Sequence, residues 1–260
     1  SYNTYVDANG YYKKSAPDTM SGDMTIQGKI TVKFRGDSLV FGSSKLIIKP
    51  GSEVQFEGVN ILGCNGIYVE GNNAESQVNS SNTGWETEHQ GRLFMRGFFD
   101  NNMNTYRRCE IKYGDYGVVA GDLLNNTDNK NGGVIRCAET DFINCYEHAV
   151  WIREYVDPKE GGRNMCMFRD CKFLWDDFPN KSKGLKGTWA KKPLKALELL
   201  ENVHGVSFTG KNVFQNNLLF SFWDPLTTGD SDPRLTKQYR DMYRGVGIKA
   251  INSSFITMPS

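Results

Sequence analysis

Cys109-Glu110-Ile111-Lys112-Tyr113, Thr140-Asp141-Phe142-Ile143-Asn144 and Cys171-Lys172-Phe173-Leu174-Trp175 share one pattern, and Asn212-Val213-Phe214-Gln215-Asn216 and Ser253-Ser254-Phe255-Ile256-Thr257 repeat it. Each sets one large apolar residue between polar neighbours, with a second candidate two positions away on the same face of a strand. The central residues are separated by 142−111=31, 173−142=31, 214−173=41 and 255−214=41 positions. Two matched pairs of intervals mark an internal repeat, and a period of this size is that of a solenoid.

A second strand precedes the later anchors: Gly133-Val134-Ile135, Met165-Cys166-Met167-Phe168, Gly205-Val206-Ser207-Phe208 and Gly247-Ile248-Lys249-Ala250. A third follows the first two, as Gly117-Val118-Val119 and Ala149-Val150-Trp151. One rung therefore reads strand, tight polar corner, strand, longer loop, strand. Such short strands cannot close a core alone, so rungs must stack to bury their inward faces. Asp115, Asn144, Asp170, Asn212, Asn216 and Asn252 fall at the corners. Asn and Asp suit corners because they tolerate left-handed backbone and bond their own main chain.

The N-terminal part carries shorter strands at tighter spacing: Ile30–Val32, Leu39–Phe41, Leu46–Ile48, Val54–Phe56 and Ile67–Val69, punctuated by Gly, Pro and Ser. These make two or three compact rungs. Insertions are expected at 72–92, 121–132, 178–195 and 224–245. The last holds Asp232-Pro233 and then Arg234 to Arg244 before Gly245, which predicts a short helix. The expected architecture is all-β: a right-handed parallel β-helix with inserted loops and one short helix. Residues 1–22 read as a linker or disordered lead-in and 23–260 as the β-helix domain, with the polar ends suggesting a piece of a longer chain. A β-sandwich, the rival fold, needs strands about every 8–12 residues and no period of this length.

The 260 residues suffice for a core without metal or disulfide. The six cysteines contain no Cys-x-x-Cys pair and read as buried free thiols. Lysines plus arginines (31) balance the acids (30), so net charge gives no general case for nucleic acid, and no apolar run is long enough to span a membrane.

Asn131-Gly132-Gly133-Val134-Ile135-Arg136-Cys137 through Val150 resembles a rung of the right-handed β-helix surface proteins of Bacteroidetes, many of them exported by type IX secretion. Phe168–Phe173, Val206–Asn216 and Gly245–Ala250 follow in the order that family shows, and Ile30 through Gly51 resembles its first rungs. The resemblance covers residues 23–256 and implies fold and lineage, with an extracellular or outer-cell-surface location.

Parallel β-helices include pectin-cleaving enzymes, and Asn126-Thr127-Asp128, Asp176-Asp177, His204-Gly205 and Ile248-Lys249 have a polygalacturonase-like order. Catalytic carboxylates must converge, but relative to their anchors Asp128 lies at 128−142=−14, Asp177 at 177−173=+4 and His204 at 204−214=−10, which do not stack. A calcium-lyase site drawn from Asp115, Asp141, Asp170, Asp176 and Asp177 competes with their use as corner caps. His89, His148 and His204 occur in unrelated contexts and have no triad partners. Four Asn-x-Ser/Thr sequons are what an Asn/Ser-rich turn protein carries by composition.

Residues 178–195 hold six lysines and no acid around Trp189. That loop suits either solvent or an anionic polymer. Trp151 and Trp175 suit sheet-face packing, whereas Trp85 and Trp189 stand in polar loops where burial explains them less well. The expected contacts for a glycan are Trp85, Trp189, Lys186, Lys191, Lys192, Tyr239 and Tyr243, with no catalytic residue, metal or cofactor assigned. The preferred expectation is a non-enzymatic, adhesin-like module for a polysaccharide or a host or cell-surface protein. It would belong to a longer parent chain, with no nucleic acid partner and no membrane insertion. The alternatives are a lyase or glycoside hydrolase acting on acidic polysaccharide, and a structural spacer.

Overall fold

A computed structural model describes residues 22–36, 38–41, 44–71, 90–114, 116–120, 132–143, 145, 148–152, 166–175, 195–199, 204–216, 246–250 and 254–257. These residues are all-β. They begin with β1 (Met24–Ile26), β2 (Thr31–Arg35), β3 (Ser38–Val40), β4 (Lys45–Ile48), β5 (Glu53–Glu57), β6 (Asn60–Leu62) and β7 (Gly66–Val69). Then come β8 (Arg92–Arg96), β9 (Phe98–Asp100), β10 (Thr105–Arg107), β11 (Cys109–Lys112) and β12 (Tyr116–Ala120). The next are β13 (Val134–Ala138), β14 (Thr140–Ile143), β15 (His148–Ile152), β16 (Met167–Arg169), β17 (Lys172–Trp175) and β18 (Lys195–Leu199). The last are β19 (His204–Thr209), β20 (Val213–Asn216), β21 (Val246–Ala250) and β22 (Ser254–Thr257).

Three sheets collect all of these except β9 and β10. Sheet 1 runs β2-β5-β8-β13-β16-β19-β22, sheet 2 runs β3-β6-β11-β14-β17-β20, and sheet 3 runs β1-β4-β7-β12-β15-β18-β21. The chain visits sheets 1, 2 and 3 in turn and returns to sheet 1, so each circuit lies parallel on the one before. Parallel pairing throughout the three sheets rules out the antiparallel sandwich.

Because each circuit repeats the last, inward side chains stack on their own counterparts. Phe34 faces Phe56 at 4.9 Å, Phe142 faces Phe173 at 5.1 Å, and Phe173 faces Phe214 at 4.7 Å. The sheet 2 ladder Leu39–Ile61–Ile111–Phe142–Phe173–Phe214 runs the length of the core. All six cysteines are buried and free, as expected. Four of the thiols donate to main-chain carbonyls, as Cys109 Sγ does to Arg96 O (3.2 Å) and Cys171 Sγ to Cys137 O (3.4 Å).

Apart from the third circuit, the corner between sheets 1 and 2 uses one left-handed residue per circuit: Gly36 (φ 62°), Gly58 (59°), Glu139 (52°), Asp170 (51°) and Gly210 (65°). Each turn is stitched to the next circuit, as by Gly58 N to Arg96 O (3.0 Å) and Glu139 N to Arg169 O (2.8 Å). Asp170 caps as expected, its carboxylate accepting from Lys211 N at 2.8 Å. Buried Asn212 accepts from Cys171 N and donates to Phe168 O.

Two assignments need correction. Phe255 does not continue the sheet 2 ladder; β22 lies in sheet 1, with Phe255 opposite Val206. Gly247–Ala250 is not the strand before an anchor, since β21 lies in sheet 3 against β18. The second interval of 41 mixes two sheets, because the connections 176–194 and 217–245 both run from sheet 2 to sheet 3 and displace the count. Strand β18 begins at Lys195, at the end of what reads as a lysine-rich insertion. The predicted helix 234–244 and the lead-in 1–21 lie outside the described residues.

Candidate ligand-binding surface

The outer face of sheet 1 and the hairpin beside it form the most distinctive surface of the described residues. Strands β2, β5 and β8 alternate, with Val32, Phe34, Val54, Phe56, Leu93 and Met95 inward and, apart from Phe94, charged or polar residues outward. Register aligns the outward residues into ladders along the stack. One runs Lys33–Gln55–Phe94–Arg136–Met167–Ser207. Another runs Arg35–Glu57–Arg96, then Ala138 one step on from the Cys137–Met95 pair, then Arg169.

Glu57 is clamped between two circuits. Its carboxylate accepts from Arg35 Nε at 2.6 Å and from Arg96 on the other side. The carboxylate is 3% exposed, whereas Arg35 is 38% and Arg96 63% exposed. Burial pushes the Glu57 carboxyl up, but hydrogen bonds from Arg96 and Arg35, with their charges, outweigh that and hold it below its ordinary value. Outward cations on this sheet are Lys33, Arg35, Arg92, Arg96, Arg136 and Arg169; outward acids are Glu53 and Glu57, giving 6−2=+4 on a chain of net charge +1.

At the sheet 1–sheet 2 corner of the third circuit the chain makes an extra antiparallel hairpin, β9–β10, with Tyr106 opposite Phe99. Asp100 nucleates its turn by accepting from Asn102 N (3.0 Å) and Met103 N (3.3 Å), and Asn104 supplies the left-handed residue (φ 48°). The hairpin folds against the stack at two glycines. A Cβ at Gly58 would meet Arg107 Cβ at 2.9 Å, and one at Gly97 would collide with the Tyr106 phenol. The Arg35 guanidinium sits 4.7 Å over the Phe98 ring, fixing the hairpin base to the arginine ladder. Phe99 (47%), Met103 (60%) and Tyr106 (50%) are the exposed large hydrophobics among the described residues, and all three are on this hairpin. Nothing in folding rewards leaving them in water, and a clustered apolar patch marks an interaction surface.

The hairpin went unread in the sequence. Its signal was present: the short apolar runs Phe98-Phe99 and Thr105-Tyr106 flank the turn-rich Asp100-Asn101-Asn102-Met103-Asn104. The expected contacts Trp85, Trp189, Lys186, Lys191, Lys192, Tyr239 and Tyr243 lie outside the described residues. Connectivity still sorts their segments. Residues 72–89 join sheet 3 to sheet 1, whereas 176–194 and 217–245 join sheet 2 to sheet 3 on successive circuits.

The residues weighed for catalysis do not converge where they are described. Asp141 is bound by Arg108 at 2.7 and 2.9 Å, the same guanidinium donates to the main-chain Asp170 O at 2.6 Å, and the Asp170 carboxylate accepts from Lys211 N, so both acids serve the corner. His204 lies on a sheet 1 strand and Lys249 on a sheet 3 strand. His148 is buried on sheet 3, its ring stacked on Tyr116 at 5.7 Å and on Trp151 at 5.3 Å. Trp151 thus packs on the sheet face, as its position suggested. Asp115, Asp128, Asp176 and Asp177 lie outside the described residues. Among the described residues no group of three or more His, Cys, Asp or Glu side chains is placed to hold a metal ion, and no helix is long and apolar enough to cross a membrane. Comparison with protein-family models, curated proteins and solved structures finds no match.

Proposed function

We propose that the stacked circuits form a right-handed parallel β-helix, the hand that parallel crossovers take almost without exception, and that it serves as a secreted or cell-surface binding module. The partner is a glycan, held rather than cleaved. One observation carries this reading: the exposed hydrophobics Phe99, Met103 and Tyr106 stand together on one extra hairpin braced against the stack. An aromatic pair on a rigid support offers apolar faces on which sugar rings can pack, at little cost in side-chain entropy. The resemblance to Bacteroidetes surface proteins accords with the location and extends the proposal to type IX export.

Affinity gel electrophoresis against a panel of neutral and acidic polysaccharides tests it, with reducing ends and unsaturated products read in the same samples. Phe99→Ala/Tyr106→Ala should lose most retention and keep the wild-type circular dichroism spectrum, because both side chains are about half exposed and the Tyr106 contact with Gly97 holds only the hairpin. Undiminished retention by the double variant removes the hairpin from the site. Polymer cleavage by the wild type makes the protein an enzyme instead.

A further inference from the structure

We infer that the ligand is a uronate-bearing linear polysaccharide lying along the stacking direction of sheet 1, with a sugar carboxylate seated between Arg96 and Arg169. This rests on the glycan-binding reading and deepens it. The template is internal to the protein. In the ladder Arg35–Glu57–Arg96–Ala138–Arg169, the carboxylate of Glu57 bridges the arginines of the circuits on either side. Two circuits further on the ladder repeats arginine, bridging position, arginine, but the bridging residue is Ala138. Ala138 is itself buried, and the carboxylate of its neighbour Glu139 lies between Gly97 and Arg169, so a ligand carboxylate would enter above Ala138 between the exposed guanidinium heads of Arg96 and Arg169, displacing the loose approach of Glu139.

Arg96 and Arg169 are 63% and 50% exposed, so an incoming anion can reach both. Among the described residues the acids facing Arg169 are Glu139 and Asp170, each at 3.9 Å, the outer limit of an ion pair. A guanidinium fork matches a carboxylate in two hydrogen bonds, which those longer approaches do not use. Arginines two circuits apart are about 9.6 Å apart along the stack. An extended 1,4-linked pyranose chain advances by close to one strand spacing per sugar, so a sugar at the Ala138 level has its two neighbours beside Arg96 and Arg169. Beside this ladder the hairpin presents Phe99 and Tyr106 to the sugar faces, while Arg92 and Arg136 extend the same positive face.

The test uses the full chain on gels containing polygalacturonate, its methyl ester, a sulfated glycosaminoglycan, or double-stranded DNA. Polygalacturonate should retard the wild type, and the methyl ester, with the same backbone and no charge, should retard it at least tenfold less. Arg169→Gln should weaken polygalacturonate binding about tenfold, the value of one charge-assisted pair. Ala138→Glu should do the same by supplying the bridge from the protein, and its melting temperature should not fall, which separates competition from misfolding. Equal retention on acid and ester, or wild-type binding by Arg169→Gln, overturns the carboxylate seat. If Phe99→Ala/Tyr106→Ala still abolishes binding in that case, the glycan-binding reading survives without it. Preferential retention by sulfated polymer or DNA also overturns the proposal, and retention by no polymer overturns both readings.

Discussion

Replacing Phe142 with alanine tests whether the interior ladders hold the circuits together. Its ring is 1% exposed, parallel to Phe173 within 1° at 5.1 Å, and in register with Ile111 on the preceding circuit. Deleting a buried phenylalanine ring costs about 3–5 kcal/mol, made up of lost transfer free energy and the cavity left behind. Sites that collapse readily fall at the low end. This one cannot, because backbone ladders on both sides fix the strand spacing and neither Ile111 nor Phe173 can move by a full circuit, so about 4 kcal/mol is expected. The loss should also be localised. In a stacked-repeat fold, stability is close to a sum over circuits and the interfaces between neighbours, and Phe142 contributes to the interfaces on both sides of the fourth circuit. Urea unfolding, followed by far-ultraviolet circular dichroism, should therefore show a lower midpoint and a shallower slope as the two halves part. Lys172→Ala, at a half-buried outward position of the neighbouring strand, should change stability by no more than about 0.5 kcal/mol. A Phe142→Ala loss below about 1 kcal/mol with unchanged slope would refute the view that like-on-like stacking carries the core.

Two further outcomes follow from buried ionisable groups. Glu57 has its folded value held down, so its contribution to stability is present above the ordinary carboxylate value of about 4.3 and is lost as pH falls through the lower folded value. Glu57→Gln should lower stability at pH 7 and flatten the acid limb, and superimposable curves of melting temperature against pH would contradict this. Burial pushes the Cys109 thiol up to about 11, that of Cys171 up to about 12, and that of Cys137 well above its ordinary value. At pH 8 the native protein should resist a chromogenic disulfide reagent and release all six thiols only on unfolding. Rapid native reaction of any one would show that its cover opens.

The interior was legible because stacking imposes a rule that sequence obeys. An inward residue meets its counterpart from the next circuit, so Ile111, Phe142, Phe173 and Phe214 are large, apolar and periodic, and all four do share one sheet. The rule governs register within sheets and is silent about the length of what lies between them. Phe255 shows the cost: two long connections between sheets 2 and 3 made an interval of 41 recur while the chain ended one sheet away. Strand β18 was missed for the same reason, since its first residue closes a lysine-rich run and only pairing with β15 and β21 defines it.

The outer face obeys no such rule, and there the sequence falls silent. Arg35, Glu57, Arg96, Ala138 and Arg169 are separated by 22, 39, 42 and 31 positions and change side-chain type at every step. No period finds them, because solvent does not require an outward residue to match its neighbour. Once register is known, the same five residues become adjacent levels of one ladder, and the missing carboxylate at position 138 acquires meaning from the one present at position 57. The hairpin is likewise invisible to the repeat, since it is an addition that one circuit carries at a corner the other described circuits turn with a few residues. In a stacked fold the repeat reports what must be alike for the core to close. Recognition of a partner has to come from positions free to differ, so the binding surface belongs with the departures from the repeat.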